Sequence, residues 1–323
     1  EMLRSLVGSE MCIRDSYKVF KFLIKYVYAA NLVLLIMIFA AGKTRGIAGW
    51  FKLDFIDRAL QPGELCKISI IVTLSKYVSD CMDKEGKFRG LGYIIKTTMY
   101  CAVPTVLVMM QPDFGTAFVF ICIMVFIYFI GRISWGYILT AAGGLAVCMP
   151  LAYYFVLSDS QRERIDVFIN PESDLQNSGY NVAQSKIAIG SGQLTGKGFF
   201  SEGTLAQLRF VPERHTDFIF AGIVEGLGFV GGTIIICLFF ALIFRWIYIA
   251  MRTKDSFGTC LVVGVAGMFT AHVFENIGMT IGLMPVTGIP LPFISYGGSN
   301  LLTNLIGVGI VENVWMRRQS KKR

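Results

Sequence analysis

Four ionisable side chains crowd into Val211-Pro-Glu-Arg-His-Thr-Asp-Phe-Ile-Phe220, at the head of a long apolar run. Ionisable groups beside hydrocarbon are costly, so Glu213, Arg214, His215 and Asp217 ask for a chemical reason. A carboxylate held there can take a proton from a hydroxyl as a general base, which is the chemistry open to Asp217. The same residue types also cap helices. Thr216 or Asp217 precedes Phe218, where a helix is expected to begin. On the residues alone, base and cap stand level.

Three further segments carry polar groups next to apolar runs. In Gln61-Pro-Gly-Glu-Leu-Cys-Lys67, Glu64 and Lys67 share one helix face and can pair; alternatively Lys67 faces a phosphate at the helix end. A lysine can also snorkel there without a ligand. In Gln111-Pro-Asp-Phe-Gly-Thr116, Pro112 and Asp113 suit a helix start, and capping outweighs catalysis for Asp113. Gly288-Ile-Pro-Leu-Pro-Phe-Ile-Ser-Tyr-Gly-Gly-Ser299 breaks an apolar segment with Pro and Gly. Such a break either lines a groove, where Ser295 and Tyr296 would face a ligand, or is a plain re-entrant turn.

These residues must be placed by membrane helices. The 323-residue chain is 54% hydrophobic and 16% charged, with mean hydropathy +0.59. A soluble domain carries about 25% charged residues. Apolar windows of roughly 20 residues indicate an all-α polytopic membrane protein and exclude the short alternating pattern of a β-barrel. Eight spans are expected near 20–41, 64–80, 93–111, 114–131, 135–157, 218–249, 257–283 and 295–316. The segments 81–92, 131–134, 245–254 and 317–323 are basic and fall on one side of such a topology, the cytoplasmic side. The net charge of +8 follows from these helix ends, so no nucleic-acid partner is implied.

The opposite side holds the loop 42–63, with Lys43, Arg45, Lys52 and Arg58, and one large extracytoplasmic loop, about 158–217. Cations stranded on the outer face point to an anionic ligand, or are balanced by Asp54, Asp57 and Glu64. Within the large loop, 180–190 reads as a short amphipathic helix carrying Gln184 and Lys186. Residues 1–16 read as neither signal peptide nor span and are set apart as a non-native, unstructured segment, leaving 17–323 as one transmembrane domain. The eight cysteines lie mostly in apolar runs without a Cys-x-x-Cys spacing, as small buried hydrophobes do.

The motifs at 111–116, 170–174, 179–199, 210–220 and 290–299 (QPDFGT, NPESD, GYNVAQSKIAIGSGQLTGKGF, FVPERHTDFIF, PLPFISYGGS) resemble those of the SEDS proteins, which act in shape, elongation, division and sporulation. NPESD and QSKIAIGSG are closest to the rod-shape branch of that family. The resemblance covers residues 17–318 and implies a SEDS fold of ten transmembrane helices, of which eight fall in this chain. It implies a peptidoglycan glycosyltransferase in the bacterial inner membrane, polymerising lipid II during cell elongation with its active site on the outer face. It also implies a class B penicillin-binding transpeptidase as partner within the elongation complex.

By the same resemblance Asp217 is the essential carboxylate, and Lys67 and Arg58 are the cations around Gln-Pro. Arg45, Lys186 and Arg214 are further candidates for phosphate or sugar contact. Glu64, Gln184, Glu213, His215, Asp113, Ser295 and Tyr296 complete the candidate substrate site. A divalent cation, Mg or Mn, is a candidate helper at the pyrophosphate; its ligands are not legible. Two other classes fit a polytopic chain. A lipid II flippase should place ionisable groups near the bilayer midplane, and a non-catalytic scaffold would only recruit the transpeptidase.

Overall fold

The computed structural model describes residues 16–40, 51–53, 58–155, 162, 166–169, 178–198 and 215–317. Eight long helices among them lie on the eight expected segments. They are α1 (Ser16–Ala40), α2 (Pro62–Glu85), α3 (Leu91–Met109), α4 (Phe114–Ile130), α5 (Trp135–Phe155), α7 (Ile219–Arg252), α8 (Ser256–Thr280) and α9 (Gly298–Arg317). A shorter α6 (Ser178–Ser191) falls in the large loop, where an amphipathic helix was expected. Among the described residues α3, α7 and α8 are long and apolar enough to cross a membrane by length and composition, and Leu23–Ile38 and Phe114–Ile130 are shorter apolar helices. α2 falls short on hydropathy because it carries Glu64, Lys67, Lys76 and Asp80, of which Glu64 and Lys67 are buried.

One element was not expected. Part of the loop 42–63 forms an antiparallel pair, β1 (Phe51–Leu53) with β2 (Arg58–Leu60), in which Leu53 faces Arg58. The pair ends directly at Gln61, where Pro62 opens α2 with its fixed φ.

The helix ends follow local rules. Asp113 caps α4 by accepting from Thr116 N at 3.0 Å, and Asp255 caps α8 by accepting from Gly258 N at 3.1 Å. Gly86 closes α2 in the left-handed conformation, φ +71°.

α8 runs through the middle and packs against α2, α4 and α7. Small residues allow the close approach: a Cβ on Gly264 would press on Ile71 and Ile127, and one on Gly267 would press on the Phe126 ring. The main core joins Ile70, Ile71 and Leu74 of α2 to Phe120, Ile123 and Ile127 of α4 and to Leu261, Val265 and Phe269 of α8. Dispersion and packing drive such contacts in lipid, where tails are as apolar as leucine.

Candidate active site

Asp217 sits on a turn just before α7, half-exposed, between exposed His215 and buried Phe218. The cap position of α7 is Phe218, one residue after Asp217, and it carries no side-chain cap. Three contacts hold this turn by its backbone. Asn276 Nδ2 donates to Asp217 O at 2.9 Å and to Ile289 O at 2.8 Å. Ser295 Oγ donates to Thr216 O at 2.6 Å while accepting from Leu291 N at 2.7 Å. Tyr296 N donates to His215 O at 2.9 Å.

The interrupted segment 288–299 therefore folds back against the Asp217 turn. Gly288 is in the left-handed region, φ +76°, and a Cβ there would lie 3.4 Å from Asp217 Oδ2. Glycine at this position meets the backbone requirement, and a Cβ would touch the carboxylate only at ordinary contact distance. The backbone that fixes the acid also leaves its side chain at a rim reachable from solvent.

Lys67 occupies a different environment. It is fully buried, its Nζ donating to Glu64 Oε1 at 2.6 Å and lying 2.8 Å from His272 Nε2. Asn300 Nδ2 reaches Glu64 Oε2 at 3.5 Å and Asn304 Nδ2 donates to Asn300 Oδ1 at 2.7 Å, so α9 completes the polar cluster. Glu275, also buried, lies within electrostatic reach of Lys67 and Asp113. Lysine at this position does not stand at an open helix end, as the phosphate-facing and snorkelling alternatives require; the pairing of Glu64 with Lys67 is the geometry present. A buried ion pair must be satisfied on both sides, and His272 and Asn300 supply that.

Asp113 ties the Gln61 segment to the start of α4. Its Oδ2 accepts from Gln61 Nε2 at 3.1 Å and from Thr116 Oγ1 at 2.8 Å, while Gln61 N donates to Ser299 Oγ at 3.3 Å. The Gln-Pro segments at 61 and 111 thus meet at the start of α9. Asp113 acts as a cap and a tether here.

α6 reaches the same rim from the large loop. Val182 and Ala188 pack with Phe218 and Ala221, and buried Ser185 donates to Thr280 O at 2.7 Å. This leaves Gln184 half-buried and Lys186 exposed, with the Lys186 side chain lying over Gly282. The turn after α6 then enters a break in α7. Gly228 has φ +71° and ψ −174°, and Phe229 N and Val230 N donate to Gln193 O and Leu194 O at 2.8 and 3.1 Å. Lys197 N and Gly198 N return bonds to Glu225 O and Gly226 O at 3.0 and 2.9 Å. Buried Glu225 accepts from Ser191 Oγ at 3.4 Å and lies 3.5 Å from Lys197 Nζ. The expected uninterrupted span at 218–249 is therefore broken at Gly228, where a polar loop satisfies the freed backbone groups.

Of the candidate residues, Asp217, His215, Ser295 and Tyr296 come together on the rim, and Glu64 and Lys67 in the buried cluster. Arg45, Glu213 and Arg214 lie outside the described residues, and for Arg58 the backbone strand alone is described. His272, Asn276 and Asn300 were missed. The available signal was the pair His272 and Asn276, four residues apart in an otherwise apolar helix.

A central helix clamping an acidic rim and a buried cation defines this as a multi-pass helical membrane protein with an organised polar site at one end of its bundle. Its sequence matches the FtsW–RodA–SpoVE family, described as cell cycle proteins, over residues 2–320, and the chain belongs to that family. It is 38% identical over 296 residues to the peptidoglycan glycosyltransferase MrdB of Escherichia coli (strain K12), covering 91% of this chain and 78% of that protein. It is 37% identical over 296 residues to the stage V sporulation protein E of Bacillus subtilis (strain 168), covering 88% and 75%. A solved chain from a peptidoglycan synthase complex that coordinates polymerization and crosslinking superposes with a TM-score of 0.78 at 27% identity, covering 95% of this chain and 84% of that one. The crystal structure of the Thermus thermophilus rod shape determining protein RodA superposes with a TM-score of 0.66 at 26% identity, covering 94% and 80%.

Proposed function

We propose that this chain is a peptidoglycan glycosyltransferase that extends glycan strands from lipid II, working beside a class B transpeptidase of the elongation complex. Membership of the family and the likeness to enzymes of that name support the reaction class. The observation that carries the site is Asp217: a half-exposed carboxylate whose backbone is held by Asn276 and whose side chain fits against Gly288.

Asp217 takes the proton of the acceptor sugar's 4-hydroxyl, and the oxygen attacks C1 of the donor sugar with inversion. Undecaprenyl pyrophosphate leaves. This leaving group needs its charge met rather than a proton, so a single carboxylate suffices, unlike the acid–base pair of a glycosidase. Positive charge for the pyrophosphate comes from the basic residues of the rim, with Lys186 and the segment from Arg58 as the nearest candidates in sequence to described elements. Lys67 acts from its buried seat as a fixed positive charge beneath the site. A divalent cation, Mg or Mn, if bound, would help neutralise the charge of the pyrophosphate. The site opens on the outer face of the bacterial inner membrane, where the basic helix ends lie opposite.

The test is reconstitution of Asp217→Asn with its transpeptidase and lipid II in liposomes. Loss of polymer with an unchanged melting profile is the expected result. Polymer at the wild-type rate would remove the base, and lipid II translocation without polymer by the wild-type protein would favour the flippase class.

A further inference from the structure

Lys67 and Asp217 lie on separate elements, α2 and the turn before α7, and the same face of α8 grips both. His272 Nε2 meets Lys67 Nζ at 2.8 Å, and Asn276 Nδ2 holds Asp217 O at 2.9 Å. Four residues separate the two grips, one helical turn, which places their Cβ atoms about 6 Å apart on one face. All three side chains, Lys67, His272 and Asn276, are fully buried. We propose that His272 and Asn276 are positioning residues that set the distance between the buried cation and the base; this rests on Asp217 acting as the base.

The chemistry of the pair fixes the state of the imidazole. A lysine ammonium donates and cannot accept, so Nε2 must be the unprotonated ring nitrogen and the proton must sit on Nδ1. Among the described residues Nδ1 meets no hydrogen-bond partner. A histidine serving only as core filler would take the tautomer that satisfies its donor. Here the buried donor is left unsatisfied while the lysine is satisfied, so holding the ammonium is what the imidazole does. Asn276 uses one amide nitrogen for two carbonyls, Asp217 O and Ile289 O, and so ties the base to the segment that carries Gly288.

Two measurements test the arrangement. The chain has two histidines, so 15N-histidine labelling in lipid nanodiscs gives a spectrum in which a His215→Gln control identifies His272. Wild type should show an unprotonated, hydrogen-bonded Nε2 and a protonated Nδ1, and Lys67→Met should abolish the Nε2 hydrogen-bond shift. A protonated Nε2 in the wild type would overturn the proposal whatever the activity. In lipid II polymerisation, His272→Gln keeps an acceptor where Nε2 sits and should stay within about threefold of wild type. His272→Leu should lose about tenfold or more in kcat with KM within about twofold. Equal rates for Gln and Leu, both folded, would overturn it. If Leu does not fold, the spectrum decides alone. Asp217→Asn run alongside separates the two claims: polymer from that variant defeats the base, while the tautomer still reports on the grip.

Discussion

The buried cluster around Lys67 and the rim around Asp217 are built from the same helix, α8, yet treat charge in opposite ways. Lys67 is locked between Glu64 and His272 with no access to solvent. Asp217 is held through its backbone, by Asn276, so its carboxylate reaches the rim. A charge inside a membrane protein must be paired at once, and pairing takes it out of reach of a substrate. The difference separates a charge sealed in the core from one within reach of solvent.

Three variants sharpen that comparison, beginning with the largest effect. Lys67→Met strands the Glu64 carboxylate in the core and should cost about 3–5 kcal/mol of stability. Thermal unfolding in detergent reads this, and the double variant with Glu64→Gln should recover most of the loss. If Lys67→Met melts like wild type, the cluster is not the tight pair described. Gly288→Ala puts a side chain on a left-handed backbone against Asp217 Oδ2, and should cost about 1–2 kcal/mol. Polymerisation should fall in step with this loss of stability, because a methyl group would meet Asp217 Oδ2 only at ordinary contact distance. Ser295→Ala removes the link between Thr216 O and Leu291 N and should cost about 1 kcal/mol. A melting shift larger than that of Gly288→Ala would mean the rim depends more on its clamp than on the left-handed backbone at Gly288.

The Gly228 break shows where reading the chain stopped. Residues 218–249 form one apolar run, and no helix-breaking proline interrupts it. The break exists because the turn at 192–198 donates to and accepts from the α7 backbone, a pairing between segments about 30 residues apart. Glycines at 196 and 228 permit the approach, since a Cβ on either would collide with the other segment's backbone. Likewise the β1–β2 pair lay hidden in a loop whose strands are three residues each, too short for any alternation to register. By contrast α6 was legible from its amphipathic pattern, and Asp113 from its place before a helix.

What the sequence determined is the arrangement that local chemistry dictates: the helical segments and their places along the chain, the Asp113 cap, the short α6, and the crowding of ionisable groups before Phe218. Burial cost alone demands those patterns, so they are written in composition and period. Only the tertiary structure decided that Lys67 lies sealed between Glu64 and His272, that Asn276 and Ser295 hold the Asp217 turn, and that α7 opens at Gly228. Each of those contacts joins side chains or backbone from distant segments. Their partners are chosen by helix packing around α8, which no window of neighbouring residues contains.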